Sequence, residues 1–507
     1  MREPTRSSRP ALPVRLRRAA LLAILLALAA LCLWQLEQAR DGVQITRLSV
    51  GDTPVTRFAQ AGAEGPVVVV AHGFAGSTQM MQGYTLSLAR AGYRVYGFDW
   101  SGHGRNPVPM SGDVGSVEGT TRLLVGETLR VIDAVADGPA PVALLGHSMA
   151  TDLLVRTAAE APERVGPVVL ISAFSQAITP EHPRDLLLIT GAAEPRLRRF
   201  ALEALRMLDP DADEGQTVAQ GGLMRRAVVA PGVDHVAVLH SATGAAEARD
   251  WLNRAHGRSD APPPVRMGGW FLALMAVLAL LAHPLARLLP ASAPRDLPGL
   301  TTRQSLAVVA LPALAAPLVA VPLQTDLLPV LVADYLALHL GIHGAIQLAL
   351  LARFGQPFRP VAPPALVAGV ALLVWALLVF GAALDRYGAN FWPTGPRLAI
   401  IAALALGAVP FMLADAMVVR GAGIWRRIAV RAGFLASLGL AVALDPGGLF
   451  FLALIAPVIV LFYLIFGTMG RAVAARAGAV PAGAALGLVL AWALGVSFPL
   501  FATGGVQ

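Results

Sequence analysis

Residues 142–151 have the sequence Val-Ala-Leu-Leu-Gly-His-Ser-Met-Ala-Thr. A short apolar run ends abruptly at Gly146-His147-Ser148, and a helix-forming segment follows. This pattern is typical of a strand–nucleophile–helix turn, in which a serine on a tight, strained elbow presents its hydroxyl at the end of a strand. Small residues must flank such an elbow, and Gly146 and Ala150 meet that need. Taken alone, the pattern is also compatible with a serine that caps an ordinary helix.

The composition excludes an ordinary soluble protein. Of the 507 residues, 56% are hydrophobic and only 14% are charged, and the mean hydropathy is +0.62. The formal net charge is +8, but no basic patch is interleaved with aromatic residues, so nucleic acid is not an expected partner. Cys32 is the only cysteine, which excludes intrachain disulfides and argues against a cysteine-based metal site or nucleophile.

The apolar excess is unevenly distributed and divides the chain into five parts. We predict a basic cytoplasmic tail (1–18), a transmembrane anchor (19–36), a soluble α/β domain (40–256), a stiff polar linker (257–266) and a multi-pass, all-α transmembrane domain of about eight helices (267–507). The apolar runs of the last part cover approximately residues 267–286, 305–323, 327–352, 364–384, 398–419, 428–444, 449–467 and 480–502, and the run 428–444 is short for a span.

The first apolar run could belong to a cleaved signal peptide or to a retained anchor. The bulky residues before Asp41 leave no small-residue cleavage site, so the anchor is favoured. Arginines should then mark the cytoplasmic loops, which carry Arg287, Arg295, Arg303, Arg353, Arg359, Arg420, Arg426, Arg427, Arg431, Arg471 and Arg476. The opposite loops carry only Arg386 and Arg397. We therefore predict a multi-pass protein of the cell (inner) membrane whose soluble domain is extracytoplasmic, facing the periplasm or the cell exterior.

The soluble domain alternates strand and helix signals, which predicts a mostly parallel sheet with helices on both faces. The predicted strands are Val43–Val50, Thr53–Gln60, Val67–Ala71, Tyr93–Phe98, the strand that ends at Ser148, Val168–Phe174, Asp185–Thr190 and Arg226–Ala230. We expect residues 209–222 to form an inserted acidic loop.

Three polar residues follow different strands of this sheet, at the edge where the carboxyl ends of parallel strands meet. Ser148 is the candidate nucleophile, His235 the candidate base and Glu194 the candidate orienting carboxylate, in the order Ser–Glu–His. The backbone N–H groups of Phe74 and Met149 are expected to form the oxyanion hole. This chemistry requires no cofactor and no metal.

Some neighbouring residues are alternatives or have structural roles. The insertion before His235 leaves three other candidates for the acid, namely Asp209, Asp211 and Asp213, although a solvated loop is their simplest interpretation. Four other histidines are expected to shape loops or to pack, namely His72, His103, His147 and His240.

Four motifs of the soluble domain resemble those of α/β-hydrolases of the lysophospholipase/monoglyceride-lipase-like kind. They are His72-Gly73-Phe74, Asp99-Trp100-Ser101-Gly102-His103-Gly104, Gly146-His147-Ser148-Met149-Ala150 and Gly191-Ala192-Ala193-Glu194-Pro195. Two departures are an Ala in place of the last Gly of the nucleophile motif and a Glu in place of the usual Asp. The resemblance implies an α/β-hydrolase domain and a serine hydrolase acting on esters, thioesters or amides. The membrane part resembles no family that we recognise.

The segment after the sixth strand is too short for the cap that often covers such sites. Only about residues 175–184 are available there. We therefore expect the bilayer surface or the membrane domain to cover the pocket, which favours a small-molecule or lipid-like acyl substrate and makes the lipid bilayer a partner. The alternative is an open cleft for a small or polymeric ester.

These observations predict a membrane-bound serine hydrolase with two alternatives. One is an acyltransferase that uses the same acyl-enzyme, and the other is a transporter or scaffold whose hydrolase-like domain only binds ligand. For the second, the ionisable or polar residues in the predicted spans are relevant, namely Asp334, His339, His343, Gln347 and Asp415. A hydrogen-bonded helix contact, a substrate or proton path, and a metal site are all compatible with the two histidines and the glutamine on one helical face.

Overall fold

The computed structural model describes residues 14–113, 116–291, 299–323, 325, 327–356 and 361–502. Most of the predicted basic tail, together with Arg295 and Arg359, lies outside the described residues. The described chain begins with helix α1 (Val14–Arg40), which includes the predicted anchor.

A nine-stranded sheet forms the centre of the soluble domain. Its strands are β1 (Gln44–Val50), β2 (Thr53–Ala59), β3 (Val67–Ala71), β4 (Arg94–Phe98), β5 (Val142–His147), β6 (Val165–Ile171), β7 (Asp185–Gly191), β8 (Thr217–Gln220) and β9 (Leu223–Ala230). Their spatial order is β1-β2-β4-β3-β5-β6-β7-β9-β8. The pairs β1–β2, β2–β4 and β8–β9 are antiparallel, and the five other pairs are parallel.

Helices cover both faces of the sheet, as the alternation of strand and helix signals predicts. They are α2 (Gln82–Arg90), α3 (Arg122–Val135), α4 (Met149–Glu160), α5 (Pro195–Arg206) and α6 (Ala242–Ala255). Every side chain of β3 is buried, because alternate residues face two different cores. Val68 and Val70 belong to one apolar cluster and Val67 and Val69 to the other.

Two details of the sheet differ from the sequence-based prediction. The predicted acidic loop contains β8, which forms a hairpin with β9 across the turn Gly221-Gly222. Strand β9 begins at Leu223 rather than at Arg226. Both glycines have positive φ (58° and 82°), the conformation that a tight hairpin requires. Strand β6 runs from Val165 to Ile171, whereas the predicted strand ran from Val168 to Phe174. It ends at Ile171 because Ser172 adopts a left-handed conformation with φ 53°.

The rest of the chain is helical. Its helices are α7 (Gly268–Ala286), α8 (Thr302–Ala320), α9 (Ala333–Arg353), α10 (Pro363–Val374), α11 (Gly381–Tyr387), α12 (Gly395–Val418), α13 (Ile424–Leu444), α14 (Pro446–Leu449), α15 (Leu452–Ala477) and α16 (Ala479–Ser497). A π-helical segment (Trp375–Phe380) joins α10 and α11 into one span. Among the described residues, nine helical segments including α1 are long and apolar enough to cross a membrane. The short predicted run 428–444 is part of a full-length span.

Close packing of small residues holds the central membrane helices together. A Cβ on Gly344 of α9 would lie 2.5 Å from the Phe411 nitrogen of α12, and a Cβ on Gly487 of α16 would lie 2.5 Å from the Val409 Cα. Glycine is therefore required at both crossings, because only its bare backbone allows these helices to approach so closely.

The linker and one apolar cluster connect the two parts of the chain. Val265 donates its amide hydrogen to the Ser87 hydroxyl (3.0 Å), so the end of the predicted linker contacts α2. Val265 and Met267 belong to the same buried cluster as Val68 and Val70 of the sheet and Leu274 of α7. The apolar core of the soluble domain is thus continuous with the membrane helices.

The first turn of α12 carries a buried arginine that binds both parts of the chain. Arg397 is 1% exposed. Its guanidinium donates to the carbonyl oxygens of Gly495 (3.0 Å) and Phe498 (2.5 Å) near the end of α16, and to that of Gly102 (2.8 Å) in the turn after β4. Beyond α16, the Leu500 carbonyl accepts the Met110 amide hydrogen (2.8 Å). The turn after β4 is therefore fixed to the end of the membrane domain.

Replacing Arg397 by Ala should destabilise the protein. The substitution leaves the carbonyls of Gly102, Gly495 and Phe498 without their charged donor. This costs about 2–4 kcal/mol and should lower the melting midpoint by roughly 2–4 °C in a chain of this length. Heating in detergent with a thiol-reactive dye measures this, because the single cysteine, Cys32, is buried. The exposed Arg130 provides the control, Arg130→Ala. Equal midpoints for the two variants would contradict a structural role of Arg397.

Candidate active site

Ser148 lies on a strained turn between β5 and α4. Its φ and ψ are 54° and −118°, and its amide donates to the Ile171 carbonyl (2.9 Å) at the end of β6. A Cβ on Gly146 would lie 2.6 Å from the Leu154 side chain and 3.1 Å from Ala150 Cβ. Because Gly146 has no side chain, the turn accommodates the Ala at position 150, where the resemblance leads one to expect Gly.

The structure brings together the three predicted catalytic residues in a hydrogen-bonded chain. His235 Nε2 lies 2.9 Å from Ser148 Oγ, and His235 Nδ1 lies 2.6 Å from Glu194 Oε1. The carboxylate can only accept at neutral pH, so Nδ1 carries the hydrogen and Nε2 is free to accept the serine proton. The Glu194 side chain is buried, whereas that of His235 is 45% exposed.

The second carboxylate oxygen of Glu194 is also satisfied. It accepts hydrogen bonds from the Gly191 amide (2.6 Å) and from the Ser172 hydroxyl (2.8 Å). Burial raises the pKa of Glu194, but the hydrogen bonds from His235, Gly191 and Ser172 outweigh it and leave the pKa below its ordinary value. The carboxylate is therefore ionised where it faces the imidazole. Ser172 was not among the predicted site residues, although it directly follows β6 as Ser148 follows β5.

The three alternative acids lie elsewhere. Asp209, Asp211 and Asp213 are exposed on the loop before β8. Asp213 contacts Arg206 at 3.3 Å, and the Asp209 carboxylate accepts the Asp211 amide hydrogen at 3.1 Å. Their simplest interpretation, a solvated loop, describes them correctly.

The two residues whose amides are the predicted oxyanion donors line the same cavity as Ser148. They are Phe74, in the loop after β3, and Met149, the first residue of α4. Within the part of the chain that the structure describes, neither amide hydrogen has an acceptor. Unpaired N–H groups beside a serine hydroxyl are the donors that a tetrahedral oxyanion requires.

Gly73 allows the oxyanion loop to approach the nucleophile. A Cβ at this position would lie 2.9 Å from Ser148 Cβ and 3.0 Å from His147 Nδ1. We expect Gly73→Ala to displace the Phe74 amide and to lower kcat for p-nitrophenyl butyrate by about 100- to 1,000-fold. Gly138→Ala is the matched control, because a Cβ there meets open space. An unchanged kcat in Gly73→Ala would show that this loop does not serve the reaction.

The remaining histidines of the region hold loops in place. His147 Nε2 contacts the His235 carbonyl (2.9 Å), and burial followed by the proximity of His235 lowers its pKa to about 4. Neutral His147 therefore donates to this carbonyl and supports the His235 loop. His72 Nδ1 contacts the Gly73 carbonyl (2.8 Å), and the His103 ring packs on Phe74 with centroids 5.6 Å apart. His240 packs on Phe271 of α7.

A cavity of about 740 Å³ opens beside Ser148. Its walls come from the soluble domain and from two membrane-domain residues, Phe451 and Leu454. The ring of Phe451 packs against that of Phe74 with centroids 5.8 Å apart. The membrane domain therefore contributes to the wall of the pocket. Neither residue could be predicted from the sequence, because apolar side chains are the rule in spans.

The polar residues of α9 form a buried row. Tyr335 OH contacts His339 Nδ1 (2.8 Å), His339 Nε2 contacts the Ser437 hydroxyl (3.0 Å), and the His339 and His343 rings stack 6.1 Å apart. Gln347 donates to the Val308 carbonyl (3.1 Å). The row joins α9 to α8 and α13 through hydrogen bonds.

The two aspartates of the membrane domain have their own partners. Asp415 contacts Arg431 at 3.4 Å, and Asp334 accepts the Leu328 amide hydrogen at 2.8 Å. Over all described residues, no group of three or more His, Cys, Asp or Glu side chains is arranged to hold a metal ion.

Residues 66–199 match the family described as "alpha/beta hydrolase fold". The chain is also similar to protein phosphatase methylesterase 1 of Mus musculus, with 32% identity over 105 residues, which are 20% of this chain and 26% of that protein. A putative carbamate hydrolase RutD of Variovorax paradoxus is 27% identical over 114 residues, 22% of this chain and 40% of that protein. The match thus spans only a quarter to two fifths of these relatives.

Solved structures resemble the soluble part as well. A membrane phospholipase A described as a bacterial virulence factor has 14% identity and a TM-score of 0.32, with 48% of this chain and 96% of that chain covered. A dienelactone hydrolase from Anabaena variabilis has 21% identity and a TM-score of 0.33, with 42% and 99% covered. The family match and the sheet with its helices identify the soluble part as an α/β-hydrolase domain.

Proposed function

We propose that this protein is a membrane-bound serine hydrolase that cleaves an acyl compound, with a carboxylic ester as the best candidate. The observation that carries the proposal is the hydrogen-bonded chain Ser148–His235–Glu194 on a strained turn. A serine hydroxyl is a weak nucleophile, and this arrangement supplies the base and the orienting carboxylate that activate it.

The geometry supports a two-step reaction. Ser148 Oγ attacks the acyl carbonyl while His235 Nε2 takes its proton, and the Phe74 and Met149 amides stabilise the oxyanion. Collapse of the tetrahedral intermediate breaks the bond to the leaving group, which receives the proton from His235. His235 then takes a proton from water, and the resulting attack releases the acid and restores the Ser148 hydroxyl.

Hydrolysis is favoured over acyl transfer by the exposure of the base. The His235 side chain is 45% exposed, so water reaches the position from which it would attack the acyl-enzyme. Analysis of the products in the presence of candidate hydroxyl or amine acceptors tests this choice. If the acyl group were found on the added acceptor, the second step would be acyl transfer to that acceptor in place of hydrolysis. The formation of the acyl-enzyme would be unchanged.

An extracytoplasmic position of the hydrolase domain is part of the proposal. The distribution of arginines supports it, because the Arg-rich ends of the spans all lie opposite the ends that contact the hydrolase domain. The contacts at those ends include Gln82 with Arg386, Ser77 with Asn390 and Met110 with Leu500. The membrane would be the cell (inner) membrane.

Labelling with a serine-reactive fluorophosphonate tests the proposal. Wild-type protein in isolated membranes should be labelled, Ser148→Ala should not, and a membrane-impermeant probe should label wild type in intact cells whose outer layer admits the probe. Failure of folded, detergent-solubilised wild type to react would favour the alternative of a transporter or scaffold with a ligand-binding domain.

A further inference from the structure

The wall of the active-site cavity crosses from the hydrolase domain to the membrane domain. Phe451 precedes α15, and Leu454 lies in its first turn, at the end of the span that faces the hydrolase domain. Both side chains line the cavity that holds Ser148.

Leu454 also belongs to the outer surface of α15. It is 48% exposed, and Leu461 and Leu464, which follow it by about two and three turns, are 55% and 66% exposed. Positions i, i+7 and i+10 share one side of a helix, and on a membrane span an exposed apolar side contacts lipid. Leu454 therefore connects the lipid-facing side of α15 with the cavity.

The hydrolase domain also contributes exposed apolar residues to the cavity. Val117 and Phe174 line it and are exposed. The lining also includes a charged pair on α4: Arg156 Nε donates to Asp152 Oδ2 (2.7 Å), and the Ser175 hydroxyl donates to the other oxygen of Asp152 (2.7 Å). The membrane helix thus contributes apolar side chains to the cavity, and α4 contributes a charged pair.

We propose that Phe451 and Leu454 form the acyl-chain wall of the site and that the substrate is an acyl ester resident in the extracytoplasmic leaflet. This inference rests on the proposed serine-hydrolase function. The acyl chain enters along the exposed side of α15, past Leu454, while the polar part of the molecule lies towards Asp152 and Arg156. The membrane domain then selects the substrate and presents it to Ser148.

The test uses the full-length protein in phosphatidylcholine nanodiscs and p-nitrophenyl esters from acetate to palmitate. Leu454→Trp fills the wall and should lower kcat/KM for the laurate and palmitate esters by about tenfold or more, since apolar pockets discriminate by roughly this factor per methylene. Acetate should be affected less than twofold. Leu461→Trp is the matched control, because it places the same side chain on the same side of α15 outside the cavity lining.

Phe451→Ala separates substrate binding from positioning of the oxyanion loop. Because Phe451 also touches the Phe74 ring, a merely structural role would lower kcat equally for every chain length. The proposal requires instead a loss confined to long chains and expressed mainly in KM. Equal profiles of Leu454→Trp and Leu461→Trp, or a uniform loss in Phe451→Ala, would overturn it. Absence of acetate hydrolysis and of fluorophosphonate labelling in wild type would instead reject the serine-hydrolase function itself.

Discussion

Replacement of Ser148 by Ala is expected to lower kcat for p-nitrophenyl butyrate by on the order of 10⁴- to 10⁶-fold. The variant retains the oxyanion donors and the cavity but lacks the atom that forms the acyl-enzyme. Removal of His235 should cost about as much, and the double variant Ser148→Ala/His235→Ala should be no slower than either single variant, because the nucleophile and its base act as one unit. Purified full-length protein in detergent is sufficient for this measurement.

The control for this prediction is Ser49→Ala, which removes an exposed hydroxyl from β1. It should leave kcat and the melting midpoint unchanged. If Ser148→Ala kept more than a tenth of the wild-type activity while remaining folded, Ser148 would not be the nucleophile. The hydrolase-like domain would then be better described as a ligand-binding module of a membrane protein.

Much of the site could be predicted because its residues follow strands in a fixed chain order. Ser148, Glu194 and His235 each lie in the turn or loop that follows an apolar run, and the carboxyl ends of parallel strands meet at one edge of a sheet. Local sequence therefore specified a meeting of residues 41 and 87 positions apart. The choice of Glu194 over the later aspartates needed the structure, since motif spacing alone left all of them possible.

Other features depend on contacts between distant segments, which a local pattern does not encode. Ser172 is important because of its left-handed backbone and its hydrogen bond to Glu194, and neither is visible in the sequence around it. Strand β8 was predicted as part of a polar loop, because this exposed edge strand lacks the alternation of apolar residues that indicates a strand. In the sequence, Phe451 and Leu454 do not differ from other apolar residues of the spans. Only the structure shows that they line the cavity.

The presence of Glu where the resemblance leads one to expect Asp gives the second prediction. Glu194→Gln should lower kcat by about 10³- to 10⁴-fold, because a neutral amide cannot stabilise the imidazolium and its NH₂ group can impose the wrong tautomer on His235. Glu194→Asp should lose only about 10- to 100-fold, since it keeps the charge but is one methylene too short to hold all three partners. Glu203→Gln, an exposed change on α5, the helix that follows Glu194, is the control.

The pH dependence of stability distinguishes an ionised Glu194 from a merely hydrogen-bonded one. Its pKa in the folded protein lies below the ordinary value of 4.5, so the charged form stabilises the fold above that pH. This contribution is lost as the pH falls through the lowered pKa. The difference in melting midpoint between wild type and Glu194→Gln should therefore be constant near neutral pH and should shrink as the pH falls below about 4.5. A difference that stays constant down to pH 3 would mean that the carboxyl group carries no charge where it meets His235, and catalysis would then need another group to stabilise the imidazolium.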